Sequence, residues 1–160
     1  MLIRFRAENI LSFNEQIEFS MISSLQRSHA HQVFRAKNRS GVSLTRFAAI
    51  YGANASGKSN LVKVIKFAQT MVVQGLKPEA KIPVQRFRLN QDCLHRPARF
   101  EIEFKMGKQM YEYGFELDSQ FIHSEWLQMF TRRSDTLLFR RTTDNFQGSF
   151  PTGLQDMFGH

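Results

Sequence analysis

The sequence contains little of what defines several common protein classes. Its 160 residues include one cysteine, Cys93, and only four prolines. A single cysteine excludes an intramolecular disulfide and any cysteine-rich metal site. No apolar run approaches the roughly 20 residues that cross a bilayer, and Arg4 and Arg6 interrupt the start of the chain where a secretory signal needs an unbroken apolar core. The sequence therefore predicts a soluble, cytoplasmic protein that does not contact a membrane.

Acidic residues are also missing from a long part of the chain. Between Glu18 and Glu79 there is no Asp or Glu, and the whole chain has a net charge of +8. The basic residues of this interval are Arg27, Arg35, Lys37, Arg39, Arg46, Lys58, Lys63, Lys66 and Lys77. Such a stretch favours an anionic partner. One hypothesis is a nucleic-acid-binding module in which residues 27–46 contact the phosphates of DNA or RNA.

The apolar content is sufficient for a folded core. Hydrophobic residues make up 42% of the chain and include 16 phenylalanines. A chain of this length buries roughly two thirds of its unfolded surface. The length fits one domain, or one lobe of a larger domain.

A phosphate-binding motif lies inside the basic stretch. The segment from Gly52 to Ser59 is a full match to the Walker A pattern G-x-x-x-x-G-K-[ST]. The residues that we assign to nucleotide binding are Gly52, Ala53, Asn54, Ala55, Ser56, Gly57, Lys58, Ser59 and Asn60. A surface turn followed by an ordinary lysine is the simpler alternative, and the sequence on either side argues against it.

The flanking sequence predicts the strand, loop and helix that such a motif requires. Residues Phe47–Tyr51 form a short apolar run, typical of a strand buried on both faces in a parallel sheet. After the motif, Leu61, Val64, Ile65, Ala68 and Val72 recur at helical spacing. The helix should stop near Gly75, which gives a phosphate-loop unit over residues 46–75.

The chemistry of this unit follows from its residue types. Glycines let the loop wrap an anion, and the N-terminus of the helix adds a partial positive charge. Lys58 would reach the β- and γ-phosphates of ATP, and the Ser59 hydroxyl would bind Mg²⁺. ATP and Mg²⁺ are therefore the expected cofactors.

Residues for hydrolysis are not found, so no catalytic residue is assigned. Hydrolysis needs an acidic residue on Mg²⁺, which normally closes an apolar strand. The nearest candidates, Glu116 and Asp118, lie in a run that alternates with period two, as in a half-exposed antiparallel strand. Asp118 is interpreted as a turn residue because Ser119 follows it.

Most of the remaining chain predicts antiparallel strands. Residues 3–8 and 16–21 should pair, and residues 99–105 and 111–117 should form a hairpin with one apolar face. Further strands are expected at 122–130 and 137–141, which gives an antiparallel region over 99–141. Polar connections are expected at 23–45 and 75–98, and a loosely structured end at 142–160.

These features together resemble the first lobe of an ABC-type ATPase head. The segments that carry the resemblance are Asn9–Phe13, residues 47–61, Phe100–Phe104, Tyr113–Phe115 and Leu138–Arg140. The sequence is similar to bacterial AAA-family ATP-binding proteins related to the SMC, RecF and OLD groups, many of them encoded with anti-phage defence or restriction genes. The resemblance implies an α/β P-loop NTPase fold, ATP bound between two heads, and a nuclease or other partner driven by closure. It also implies that the Asn9–Phe13 turn lies near the nucleotide.

The chain departs from the family pattern in two ways. SMC-type loops usually have glycine where Ala55 stands, which favours the bacterial AAA group. The L-S-G-G signature, the strand ending in Asp-Glu and the later switch histidine are not found. We therefore expect a partial ATPase domain over 1–160, completed by a C-terminal lobe or by a homodimer, with no turnover by this chain alone.

Several other residues have competing interpretations. Gln85, Gln91 and Gln128 compete for the family's mid-domain glutamine, and each also suits an ordinary surface position. Trp126 is at core spacing and favours packing over base stacking. The five histidines, His29, His31, His95, His123 and His160, show no metal-ligand spacing with acidic residues or Cys93.

Overall fold

The chain folds as an α/β structure dominated by one antiparallel sheet. The computed structural model describes residues 1–23, 33–35, 43–75, 81–131 and 134–148. The strands are β1 Leu2–Glu8, β2 Ile17–Ser20, β3 Val33–Arg35, β4 Ser43–Thr45, β5 Ala98–Met106, β6 Gln109–Leu117, β7 Ile122–Phe130, β8 Asp135–Thr142 and β9 Phe146–Gly148. The helices are α1 Lys58–Gln74 and α2 Asp92–His95. Seven strands form one sheet in the order β2-β1-β5-β6-β7-β8-β9, and β3 and β4 form a separate pair.

The N-terminal strand pair is confirmed, and it joins the main sheet. Phe5 on β1 lies opposite Phe19 on β2 and, on its other side, opposite Ile102 on β5. Alternation along β1 buries Phe5 and its neighbours two residues away while the arginines between them face outward. β1 therefore connects the N-terminus to the hairpin that follows α1.

The hairpin of β5 and β6 is also confirmed. Its turn contains Gly107 with φ of +59°, a backbone angle that favours glycine. Phe100 and Phe115 lie opposite each other on the apolar face, with ring centroids 4.9 Å apart. β7 and β8 extend the sheet over the two further segments that the sequence predicts.

The segments expected to be irregular contain short elements. β3, β4 and α2 lie within the predicted connections, and β9 occupies residues 146–148 of the expected loose end. These elements have three or four residues each, too few for a period to show in the sequence. Residues 81–91 of the second predicted connection have no helix or strand, as expected. Most of the first connection lies outside the described residues, as does the end from residue 149 onward.

The predicted strand at 47–51 is wrong. Residues 47–53 have no regular structure, and Phe47 and Tyr51 are 74% and 89% exposed. A parallel strand needs neighbours, and every pairing in the described part of the chain is antiparallel. The apolar run thus leads into the loop without a sheet around it.

The core lies between α1 and one face of the main sheet. Val64 and Ala68 are the buried residues of the helix, and they join a cluster that includes Phe5, Phe100 and Phe115. Their spacing of four places both on the same side of the helix. This packing fixes α1, and with it the loop at its N-terminus, against the centre of the sheet.

The opposite face of the sheet carries paired charges and a flat tryptophan. Arg6 contacts Glu18 and Glu101, and Arg99 contacts Glu101 and Glu116 at 2.6 Å each. Trp126 is only 6% exposed, as its core-like spacing predicts, although it lies on this face, where the Arg99 guanidinium stands 4.8 Å from the ring centroid. None of the described helices is long and apolar enough to span a membrane.

Candidate nucleotide-binding site

The loop that carries the Walker A sequence runs directly into the first turn of α1. Ala55 and Gly57 have φ of +63° and +88°, which turn the chain sharply before the helix begins. The Leu61 amide donates to the Gly57 carbonyl at 2.9 Å, the first hydrogen bond of the helix. A Cβ on Gly52 would lie 2.7 Å from Ser56 Oγ, so the loop closes tightly at its start. A side chain at position 52 would displace Ser56, and the φ angle of Gly57 favours glycine.

The ammonium group of Lys58 is surrounded by oxygen atoms of the loop. Its Nζ donates to the Gly52 carbonyl at 2.8 Å, to the Ala53 carbonyl at 2.5 Å and to Ser56 Oγ at 3.3 Å. The positive charge therefore lies against the loop itself. An anion bound there would compete with neutral carbonyls, and a charged acceptor makes the stronger hydrogen bond.

The residues after Lys58 leave the mouth of the loop open to an anion. Ser59 is exposed, and the first turn of α1 contains no acidic residue. The helix N-terminus therefore keeps its partial positive charge without compensation from a carboxylate. This donor set fits a phosphate group, with the Ser59 hydroxyl accessible to a cation beside it. Asn54 and Ala55, the other loop residues, are exposed as well.

The N-terminal turn lies against the loop and the start of α1. Asn60 Nδ2 donates to Ser12 Oγ at 2.9 Å, and the Phe13 ring lies 3.3 Å from where a Cβ on Gly57 would stand. The family resemblance placed this turn near the nucleotide, but the contacts themselves could not be read from the sequence. The absence of a side chain at Gly57 therefore permits both the positive φ angle and the close approach of the Phe13 ring.

A buried asparagine fixes the turn from behind. Asn9, with φ of +54°, donates through Nδ2 to the carbonyls of Cys93 and Arg96 at 2.8 Å and accepts from the Phe87 amide at 3.2 Å. These bonds tie the end of β1 to the segment before β5. Sequence reasoning missed this role, since only the tolerance of asparagine for left-handed angles hinted at it.

Only one of the three competing glutamines lies beside the loop's helix. Gln85 lines a cavity of about 390 Å³ together with Ser12 and Asn60. Gln91 immediately precedes the short helix α2, and Gln128 lies on β7 at the face that carries Trp126. The structure therefore separates three positions that the sequence left equivalent.

The two acidic residues considered for magnesium have structural partners. Glu116 accepts from Arg99 and Ser124 on the charged face of the sheet. Burial would raise the pKa of Asp118, but hydrogen bonds from the Gln120 and Phe121 amides and from the ring of His123 outweigh it and lower this pKa to about 2. Asp118 is thus the turn residue that the sequence predicts.

The histidines and the basic segment 27–46 form no further binding site in the described residues. No group of three or more His, Cys, Asp or Glu side chains in this part of the chain could hold a metal ion. His123 pairs with Asp118 at 2.9 Å, a contact that spacing did not reveal. His29, His31 and His160 lie outside the described residues, and so does most of the basic segment 27–46.

Comparison with known proteins identifies the family. Residues 47–151 match a family model described as "AAA domain, putative AbiEii toxin, Type IV TA system". The chain belongs to this AAA family. The match begins at the apolar run before the Gly52–Gly57 loop and extends through β9. No curated protein and no solved structure shows significant similarity to the chain.

Proposed function

We propose that this chain is the ATP-binding lobe of an ABC-type AAA ATPase, with Gly52–Asn60 holding the phosphates of Mg·ATP. The observation that carries the proposal is the Lys58 ammonium, held by loop oxygens at the N-terminus of a long helix. Membership of the AAA family supports it, since AAA ATPases generally use ATP and Mg²⁺. We also propose that the protein is related to the SMC, RecF and OLD groups and that it is cytoplasmic.

The loop residues divide the work of binding. Lys58 leaves the Gly52 and Ala53 carbonyls and donates to phosphate oxygens, where a full negative charge replaces two neutral dipoles. Backbone amides from the loop and the first turn of α1 donate to the same anion. Ser59 supplies one oxygen ligand to Mg²⁺, which neutralises part of the phosphate charge.

The Lys58→Ala variant tests this proposal against Lys63→Ala, a matched change on the exposed side of the same helix. Lys58 contacts only loop oxygens, so its loss should leave the fold intact. We expect Mg·ATP to raise the melting temperature of the wild type and of Lys63→Ala but not of Lys58→Ala, with fluorescent ATP binding weakened about 100-fold or more. Equal ATP binding by Lys58→Ala would contradict the proposal.

An uncovered apolar surface supports the need for a partner. We use this name for the exposed side chains Phe47, Ile50 and Tyr51 before the loop together with Val62 and Val73, whose spacing places them on one side of α1. Exposed apolar clusters mark interaction sites. We propose that the C-terminal lobe of the ATPase, in the same protein or another chain, supplies strands beside residues 47–51, and that two such heads form a homodimer around ATP.

The biological role is proposed from the family alone. The description of the matched family names a "putative AbiEii toxin" and a "Type IV TA system". We propose a role in anti-phage defence or restriction, with a nuclease as partner. ATP turnover requires an acidic residue on Mg²⁺, and the two candidates in the described part of the chain, Glu116 and Asp118, are engaged elsewhere.

A further inference from the structure

Ser12 is an exposed residue on a turn that its neighbours hold rigidly. The Ile10 amide donates to the Phe13 carbonyl at 3.0 Å, and the Phe13 amide returns a bond of 2.9 Å. The Leu11 amide donates to the Gln85 carbonyl at 2.7 Å. None of these bonds involves the Ser12 side chain, so the backbone fixes the position of Ser12 without engaging its hydroxyl.

The hydrogen bond that this hydroxyl makes in the described part of the chain leaves its proton available. Asn60 Nδ2 donates to Ser12 Oγ at 2.9 Å, which makes the serine oxygen an acceptor. A hydroxyl that accepts from an amide can still donate its own proton. In the described part of the chain, no hydrogen bond has Ser12 Oγ as donor.

The hydroxyl stands beside the loop that is proposed to bind phosphate. Ser12 Oγ is 3.7 Å from the position that a Cβ on Gly57 would occupy, and Gly57 immediately precedes Lys58. Asn60 holds it from the side of the helix. A phosphate oxygen bound at the mouth of the loop would thus have the Ser12 hydroxyl next to it as a preorganised donor. This donor comes from a segment far away in the sequence.

We propose that Ser12 donates a hydrogen bond to a phosphate oxygen of the bound nucleotide and that Asn60 orients it. This inference rests on the proposed function. A donor held in place before binding loses little entropy when the nucleotide arrives, and its bond to a charged oxygen is stronger than one between neutral groups. Ser12 would be a phosphate contact outside the Walker A motif.

The test compares Ser12→Ala with Ser12→Thr, which keeps a hydroxyl, and with Ser119→Ala, a serine change in the β6–β7 turn. Fluorescent derivatives of ATP and GTP are titrated with Mg²⁺, and melting temperatures are recorded without nucleotide. We expect Ser12→Ala to weaken binding about tenfold for both nucleotides, because the phosphates are common to them, with an unchanged melting temperature. Ser12→Thr and Ser119→Ala should bind within about twofold of wild type.

The outcomes separate this inference from the proposed function. If the wild type binds nucleotide and Lys58→Ala does not, but Ser12→Ala binds like the wild type, the role of Ser12 is refuted and the function stands. A loss confined to ATP would place Ser12 at the base and overturn the phosphate contact. If the wild type binds neither nucleotide, the proposed function itself fails.

Discussion

Trp126 and Gly114 show how one residue without a side chain allows another to lie flat. They are cross-strand neighbours on β6 and β7, and a Cβ on Gly114 would overlap the indole atoms Cζ2 and Cε2. The indole Nε1 donates to Glu112 Oε1 at 3.2 Å, and the Arg99 guanidinium lies over the ring. Glycine is needed here for space, not for its backbone angle.

Gly114→Ala should therefore destabilise the fold by displacing the indole. Overpacking of a filled site costs about 1–3 kcal/mol, which lowers the melting temperature by several degrees. The measurement is chemical denaturation of Gly114→Ala, Trp126→Leu and the double variant. Because leucine leaves room for the new methyl group, the alanine should cost less in the Trp126→Leu background. Additive effects would show that the two residues do not interact.

The helix α1 has two apolar sides with different surroundings. Val64 is fully buried against the sheet, whereas Val73 is 74% exposed on the side that belongs to the uncovered apolar surface. The same residue type therefore serves the core at one position and faces solvent at the other. A helix that is apolar on both sides is suited to lie between two layers.

Truncation of these two valines should affect stability to very different extents. Val64→Ala removes buried methyl groups and should lower the free energy of unfolding by about 2 kcal/mol. Val73→Ala should change it by less than about 0.5 kcal/mol, because alanine favours helix and little is buried. Thermal and urea denaturation of both variants give the comparison. An equal loss at both positions would mean that α1 is covered on both sides.

The elements that could be predicted from sequence are those whose pattern is local. The helix ending before Gly75 and the hairpin around Gly107 follow from periods of 3.6 and 2 and from turn residues. The prediction of a strand at 47–51 was wrong because a buried parallel strand needs neighbouring strands, and the composition of the segment does not show whether they are present. Of the candidate site, the loop could be located, but the contact of Ser12 with Asn60 joins distant segments that have no shared pattern.

At the scale of the whole molecule, backbone pairing is unevenly distributed. The strands β5, β6 and β7 are paired along their lengths at the centre of the sheet. In the described part of the chain, no backbone hydrogen bond involves the amides of residues 47–51. The region before the phosphate loop thus lacks the support that the sheet gives to the rest.

Hydrogen exchange should map this difference directly. Amides of residues 47–51 should exchange at the rate of an unstructured peptide, while those at the centre of β6 should exchange only through global unfolding. Mass spectrometry of peptides from both regions gives the comparison. If the proposed C-terminal lobe pairs with residues 47–51, adding it should slow their exchange. Strong protection of this segment in the chain alone would contradict its lack of pairing.

The order of the strands has a consequence for synthesis on the ribosome. Phe5 of β1 pairs with Ile102 of β5, so β1 cannot join the main sheet until β5 has been synthesised. At a translation rate of about 5–20 residues per second, that delay is roughly 5–20 s. During this time α1 has already been made, and Val64 and Ala68 have no sheet to cover them. The nascent chain should therefore offer this helix to chaperones before its core exists.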